Sequence, residues 1–69
     1  MGISYKPLFH LMVERNMKKK DLIKKIGLTA PIVSKFAKNE RVSGETLEKL
    51  CNYFNCQYSD IIEHIPENN

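Results

Sequence analysis

The run from Met17 to Phe36 constrains the fold of this chain more than any other segment. It reads MKKKDLIKKIGLTAPIVSKF, and its apolar residues form two stripes at i, i+1, i+4 spacing: Leu22, Ile23 and Ile26, then Ile32, Val33 and Phe36. Each stripe predicts an amphipathic helix. Gly27 follows the first stripe, where a left-handed backbone favours a residue without Cβ. The segment therefore predicts two short helices joined by a tight turn, a helix-turn-helix.

The flanking patterns predict three further helices, so we expect an all-α, compact five-helix bundle. The first helix spans about residues 5–15 with Ser4 as its N-cap, the second about 18–25, and the third 30–37 with Thr29 as its N-cap. Ser43 caps a fourth helix, whose apolar stripe is Leu47, Leu50, Cys51 and Phe54. After Ser59-Asp60, a short fifth helix carries Ile61, Ile62 and Ile65 and ends at Pro66. Asn16, Asn39 and Asn55 are predicted to take the left-handed conformation that ends a helix.

Length and composition limit what the chain does. Its 69 residues predict a single domain over 1–69, with a core of about 5–65. No apolar run approaches the ~18 residues of a membrane span, and no signal-peptide pattern precedes the first helix, so we expect a cytoplasmic protein. Two cysteines do not form a zinc site alone, and we expect Cys51 and Cys56 to be free thiols. We expect no cofactor and no metal.

The charge is distributed unevenly along the chain. Residues 1–41 hold ten of the eleven Lys and Arg residues against three acids, a net charge of +7, and residues 42–69 hold one lysine against five acids, a net charge of −4. The two halves sum to the overall +3. The positive charge concentrated in residues 1–41 favours a polyanionic partner for that part of the chain. An ordinary solvated lysine face is the alternative for such a run. The adjacent helix-turn-helix pattern favours the polyanion.

The ordered set of these motifs resembles the Cro/C1-type helix-turn-helix family, also called lambda-repressor-like or XRE, over about residues 5–65. The pieces that carry the resemblance are Met17-Lys18, Asp21-Leu22, Ile26-Gly27-Leu28-Thr29, the run from Ile32 to Phe36, the run from Ser43 to Leu50, and the run from Asn55 to Ile62. No single piece is specific, but their spacing is intact. The resemblance implies a compact bundle of four or five helices that binds double-stranded DNA, often as a homodimer.

The same resemblance implies which residues meet DNA. At matching positions, base edges in the major groove would face Ala30, Pro31, Ser34 and Lys35 of the third helix. Thr29, directly before that helix, is also expected to bind DNA. Phosphates would meet Lys18, Lys19, Lys38, Asn39 and Arg41. The chain departs from the family pattern where many members carry Gln and this chain has Lys19, Ala30 and Pro31. Gln reads adenine through two hydrogen bonds, whereas Ala and Pro only touch a thymine methyl. We therefore expect weaker direct readout and more reliance on phosphates and DNA shape.

The sequence thus predicts a DNA-binding transcriptional regulator and leaves one main alternative. The apolar tip of the third helix also suits a protein-interaction module, antitoxin-like or adaptor, for which DNA is secondary. RNA binding is less favoured because residues 17–35 hold no aromatic side chain. No base–nucleophile pair, phosphate-binding loop or metal-ligand set is visible, so we expect no enzymatic activity and no small-molecule substrate.

Overall fold

The computed structural model describes residues 2–66. In chain order these form strand β1 (Gly2–Ser4), helix α1 (Lys6–Glu14), helix α2 (Lys19–Asp21), a π-helical segment (Leu22–Ile26), helix α3 (Ala30–Ala37), helix α4 (Gly44–Phe54), a 3₁₀ turn (Tyr58–Asp60) and strand β2 (Glu63–Ile65). Within residues 2–66 the fold is therefore a four-helix helix-turn-helix bundle with a small two-stranded sheet.

The residues predicted to end helices have the expected left-handed backbone, and the predicted N-cap of the fourth helix is confirmed. Gly27 has φ +90°, and Asn16, Asn39 and Asn55 have φ of 56–58°. The Ser43 hydroxyl accepts a hydrogen bond from the Thr46 amide at 3.2 Å, as an N-cap should. Helix α1 begins one residue later than predicted, so its N-cap is Tyr5 and the assignment of Ser4 is wrong, although the Ser4 hydroxyl accepts a hydrogen bond from the Lys6 amide. Short-range signals therefore place these helices to within about a residue.

The predicted second helix is regular for only three residues. From Leu22 to Ile26 the chain winds as a π-helix, and its end is closed by a hydrogen bond from the Leu28 amide to the Leu22 carbonyl at 3.2 Å. A π-helix has more residues per turn than an α-helix, so the side-chain directions shift. Leu22 is fully buried, but Ile23 is 38% exposed, and its predicted place in the buried stripe is wrong.

The predicted fifth helix is also wrong, because its segment forms a 3₁₀ turn and a strand. Strand β2 pairs antiparallel with β1 in the register Gly2↔Ile65, Ile3↔His64 and Ser4↔Glu63. Isoleucine is β-branched and suits a strand better than a helix. The N-terminal segment, which alone is too short for a stable strand, provides the partner.

One core joins the elements. It consists of Tyr5, Leu8, Met12, Leu22, Leu28, Val33, Phe36, Leu50, Phe54 and Ile61, all less than a tenth exposed. The predicted stripes of the third and fourth helices contribute to this core, together with Leu8 and Met12 of α1. Ile32, Leu47 and Cys51 pack against it as half-buried residues. The core fixes the orientation of α3, because Val33 and Phe36 anchor one side of that helix.

Candidate nucleic-acid interface

Helix α3 leaves one side uncovered. Ala30, Pro31, Ser34, Lys35 and Lys38 are exposed, whereas Val33 and Phe36 are buried. We call these five exposed residues the α3 face. They recur at i, i+1, i+4, i+5 and i+8, which is one side of an α-helix with Lys38 at its C-terminal cap. The helix therefore presents its predicted contact residues to solvent.

The turn before α3 gives the helix its angle. Gly27 has left-handed dihedrals (φ +90°, ψ 22°), and Leu28 is buried beside it. Thr29 is the N-cap, as predicted, with an extended backbone, but its hydroxyl makes no capping hydrogen bond. A capping side chain accepts from the second or third residue of the helix. Here the second residue is Pro31, which has no N–H, so the number of available donors is reduced.

The α2 end of the site carries Lys18 and Lys19, both exposed. The Lys19 ammonium lies over the Phe9 ring, 6.0 Å from the centroid, a distance at the limit of a cation–π contact. Lys18 occupies the N-cap position without a side-chain cap. The Asp21 carboxylate compensates in part, because it accepts from the Lys18 backbone amide at 2.8 Å. This hydrogen bond is one of the two that make up a reciprocal capping box. It partly offsets the loss of helix stability caused by a lysine at the N-cap, because a lysine side chain cannot accept a hydrogen bond from a free amide.

The Asp21 carboxylate also interacts electrostatically with other lysines nearby in the chain. The hydrogen bond from the Lys18 amide holds the pKa of Asp21 below its ordinary value, and desolvation opposes this more weakly. The charges of Lys25, Lys20 and Lys24 each lower that pKa by a smaller amount. These three lysines therefore interact favourably with an acid in their own stretch of the chain. This favours a solvated structural role for them over a role in binding a partner.

The loop after α3 holds the remaining predicted contacts: Lys38, Asn39 and Arg41, all exposed. Asn39 takes the left-handed conformation, as predicted, but its side chain has a structural partner. Its Oδ1 accepts a hydrogen bond from the Tyr5 amide at 3.1 Å. The Tyr5 hydroxyl donates to the Glu40 carbonyl at 2.7 Å. Lys38 and Arg41 thus flank a loop segment that is fastened to the start of α1.

The sequence analysis did not predict this role of Tyr5. Tyr5 is fully buried, and its ring packs edge-on against Phe36 with the centroids 4.8 Å apart. A buried tyrosine needs a hydrogen-bond partner for its hydroxyl, which is the one sequence signal available. That signal does not say which of the 69 residues supplies the partner.

Other kinds of site find little support in the part of the chain that the structure describes. No three His, Cys, Asp or Glu side chains of residues 2–66 lie where they could hold a metal ion together. No helix formed by those residues has the length and apolarity needed to cross a membrane. Cys51 and Cys56 are free, and burial raises the pKa of both thiols.

Comparison with known proteins agrees with this geometry. The model of the Cro/C1-type HTH DNA-binding domain family matches residues 8–67, so the chain belongs to that family. Among solved structures, the crystal structure of the transcriptional regulator VanUg, Form II, is similar, with a TM-score of 0.89 and 41% sequence identity. The match covers 96% of this chain and 88% of that one. No curated protein matches the chain. The resemblance found in the sequence is therefore confirmed.

Proposed function

We propose that this protein is a non-enzymatic transcriptional regulator that binds double-stranded DNA with α3 in the major groove. The observation that carries the proposal is the α3 face, which is exposed along its whole length and includes the cationic side chains of Lys35 and Lys38. Membership of a DNA-binding family and similarity to a solved transcriptional regulator support it. A major groove about 12 Å wide admits one α-helix, and α3 stands behind a sharp turn that separates it from α2.

The side chains of the α3 face limit how α3 reads sequence. Lys35 is long and cationic and suits the O6 and N7 acceptors of guanine, whereas Ser34 contacts several bases. Ala30 and Pro31 offer only apolar contact, which suits a thymine methyl. We propose that Thr29 stands at the same edge. Because Ser34 and Lys35 are the two polar side chains of the α3 face proposed to contact bases, much of the sequence selectivity comes from DNA shape.

Phosphate contacts would supply most of the affinity. Lys18 and Lys19 lie at the start of α2, and Lys38 and Arg41 lie after α3, so the two pairs lie at the two ends of the helix-turn-helix. Asn39 contributes through its amide nitrogen, because its oxygen is bonded to the Tyr5 amide. Such contacts fix the register of the protein on the duplex and carry no sequence information of their own.

The test of the proposal is a selection from a random duplex library with the purified protein. We expect an enriched motif, and its half-site spacing reports the symmetry of the bound protein. Lys35→Ala should weaken binding to the selected site by about 1–3 kcal/mol and relax the preference at one base pair. Lys49→Ala, on α4 and outside the α3 face, is the matched control. Unchanged site preference in Lys35→Ala would refute the assignment of α3 as the reading helix.

We further propose that the protein acts in the cytoplasm as a homodimer on paired half-sites. One α3 contacts only a few base pairs, so a single copy has limited selectivity, and two copies one helical turn apart double the readout. Sedimentation of the protein with and without a selected duplex checks this. A complex of one copy per duplex at saturation would contradict it.

The second candidate, a protein-interaction module, is favoured by the exposed apolar atoms near the start of α3. Ala30 and Pro31 are exposed, and Ile23 before the turn is 38% exposed. A mobility-shift assay at two salt concentrations separates the candidates. Salt-sensitive duplex binding supports the regulator, and its absence supports the interaction module.

A further inference from the structure

Tyr5 connects the start of α1 to the end of α3 through three contacts, which we call the Tyr5 anchor. Its amide donates to Asn39 Oδ1 at 3.1 Å, its hydroxyl donates to the Glu40 carbonyl at 2.7 Å, and its ring packs edge-on against Phe36 with the centroids 4.8 Å apart. Tyr5 has no exposed surface. Two of these contacts hold the loop that follows α3, and the third holds the last turn of α3 itself.

Apart from the anchor, this segment is held by backbone hydrogen bonds at the end of α3 and by Val42, which packs against the core. The end of α3 is closed by hydrogen bonds from the Asn39 amide to the Phe36 carbonyl at 3.2 Å and from the Glu40 amide to the Lys35 carbonyl at 2.9 Å. Residues 40–43 lie outside regular secondary structure before α4 begins. The bond to the Glu40 carbonyl is therefore placed where the chain leaves its helical geometry, directly before Arg41.

We propose that Tyr5 is a positioning residue, which orders the loop carrying Lys38 and Arg41 before DNA arrives. The inference rests on the proposed function, since it concerns the phosphate contacts of that same surface. Ordering a loop during binding costs conformational entropy that is subtracted from the affinity. A loop that is fastened in the free protein avoids this cost. Asn39, predicted to contact DNA, then acts largely as the other half of the anchor.

The chemical state of Tyr5 is suited to this role. Burial raises the pKa of Tyr5, and the Val42 backbone amide and the Arg41 charge oppose the increase more weakly. The hydroxyl therefore keeps its proton and remains a donor to the Glu40 carbonyl over the whole neutral range. The anchor does not depend on pH under conditions in which DNA binding is measured.

Tyr5→Phe tests the anchor, because it removes the hydrogen bond to Glu40 and keeps the ring against Phe36. We expect affinity for the selected duplex to fall about fivefold, the equivalent of one hydrogen bond. The loss should appear well below the unfolding temperature, where all variants are folded. Tyr58→Phe is the matched control, since Tyr58 is 47% exposed, and its affinity should not change.

A double-mutant cycle separates positioning from general destabilisation. If Tyr5 acts through Arg41, Tyr5→Phe should cost much less in an Arg41→Ala background than in the unmodified chain. Amide hydrogen exchange should be faster at Glu40, whose amide donates to the Lys35 carbonyl, in Tyr5→Phe and unchanged in α4. Asn39→Gly is the second variant. It keeps the left-handed backbone and removes the acceptor of the Tyr5 amide. It should reproduce the faster exchange in the free protein, where the proposed phosphate contact of the Asn39 amide nitrogen has no effect, and it should also lower affinity.

Two results would overturn the proposal. The first is that Tyr5→Phe and Asn39→Gly bind the duplex with the affinity of the unmodified chain. The second is that the effects of Tyr5→Phe and Arg41→Ala on affinity are additive. If the unmodified chain itself shows no salt-sensitive duplex binding, the proposed function fails and this role fails with it. Binding by the unmodified chain with equal affinity in Tyr5→Phe refutes the positioning role alone.

Discussion

The salt dependence of DNA binding follows from the count of cations around α3. Five exposed cationic side chains belong to the proposed DNA contacts: Lys18, Lys19, Lys35, Lys38 and Arg41. If each neutralises one phosphate, the slope of log affinity against log salt is about −4.5, and affinity falls about 500-fold between 50 and 200 mM salt. Fluorescence anisotropy with a labelled duplex at four or five salt concentrations measures this slope.

Single substitutions divide the slope among these side chains. Lys38→Ala should reduce its magnitude by about 0.9, which corresponds to about eightfold weaker binding at 100 mM salt. The loss should be similar for selected and scrambled duplexes, because a phosphate contact carries no sequence information. Lys49→Ala removes the same charge from α4 and is the matched control.

Two outcomes would refute this reasoning. A slope with a magnitude below about 2 would mean that most of the five cations do not reach phosphates. An equal change of slope in Lys49→Ala and Lys38→Ala would mean that the overall charge of the chain, and not the surface around α3, drives binding. In either case the proposed orientation of α3 on DNA would have to be abandoned.

Three further predictions concern stability. Gly27→Ala should lower the free energy of unfolding by about 1–2 kcal/mol, because the φ of +90° at this position strains any residue with a Cβ. Gly44→Ala is the control, since φ is not positive there and nothing lies within 4 Å of an added Cβ, and it should not destabilise the fold. Urea denaturation of the two variants measures the difference. Ser43→Ala should lower the same free energy by about 1 kcal/mol through loss of the N-cap of α4, and an unchanged urea midpoint would contradict that role. The pKa of Asp21 is lowered in the folded state, chiefly by the hydrogen bond from the Lys18 amide. The contribution of Asp21 to stability is therefore present above the ordinary carboxyl pKa and is lost as the pH falls through the lowered value. Asp21→Asn should reduce this dependence of the melting temperature on acid pH, and an unaltered pH profile would show that the contact is not maintained in solution.

The site was predictable from the sequence to the extent that it depends on helix periodicity. The exposed side of α3 is the complement of the stripe formed by Val33 and Phe36, so the spacing of apolar residues already indicated which residues face solvent. The roles of Asn39 and Tyr5 were not predictable in this way. Their hydrogen bond joins residues 34 positions apart, and no local pattern encodes such a pairing.

The sequence by itself determined the features that a few neighbouring residues decide. Glycine or asparagine at a helix end adopts the left-handed backbone with little strain, and a serine before a helix satisfies a free amide, so these positions carry their own structural preference. Gly27, Asn55 and Ser43 all behave as predicted. The apolar spacing of α1, α3 and α4 likewise fixes which side each helix buries.

Only the tertiary structure decided the features that depend on a distant partner. The segment from Ile61 to Ile65 has spacing that suits a helix, but β2 exists because β1, about sixty residues earlier in the chain, offers unpaired backbone groups. The turn between α2 and α3 was predicted, but the π-helical winding that exposes Ile23 was not. In each case the free energy comes from contacts formed when the whole chain packs, and these contacts outweigh a local preference of well under 1 kcal/mol per residue.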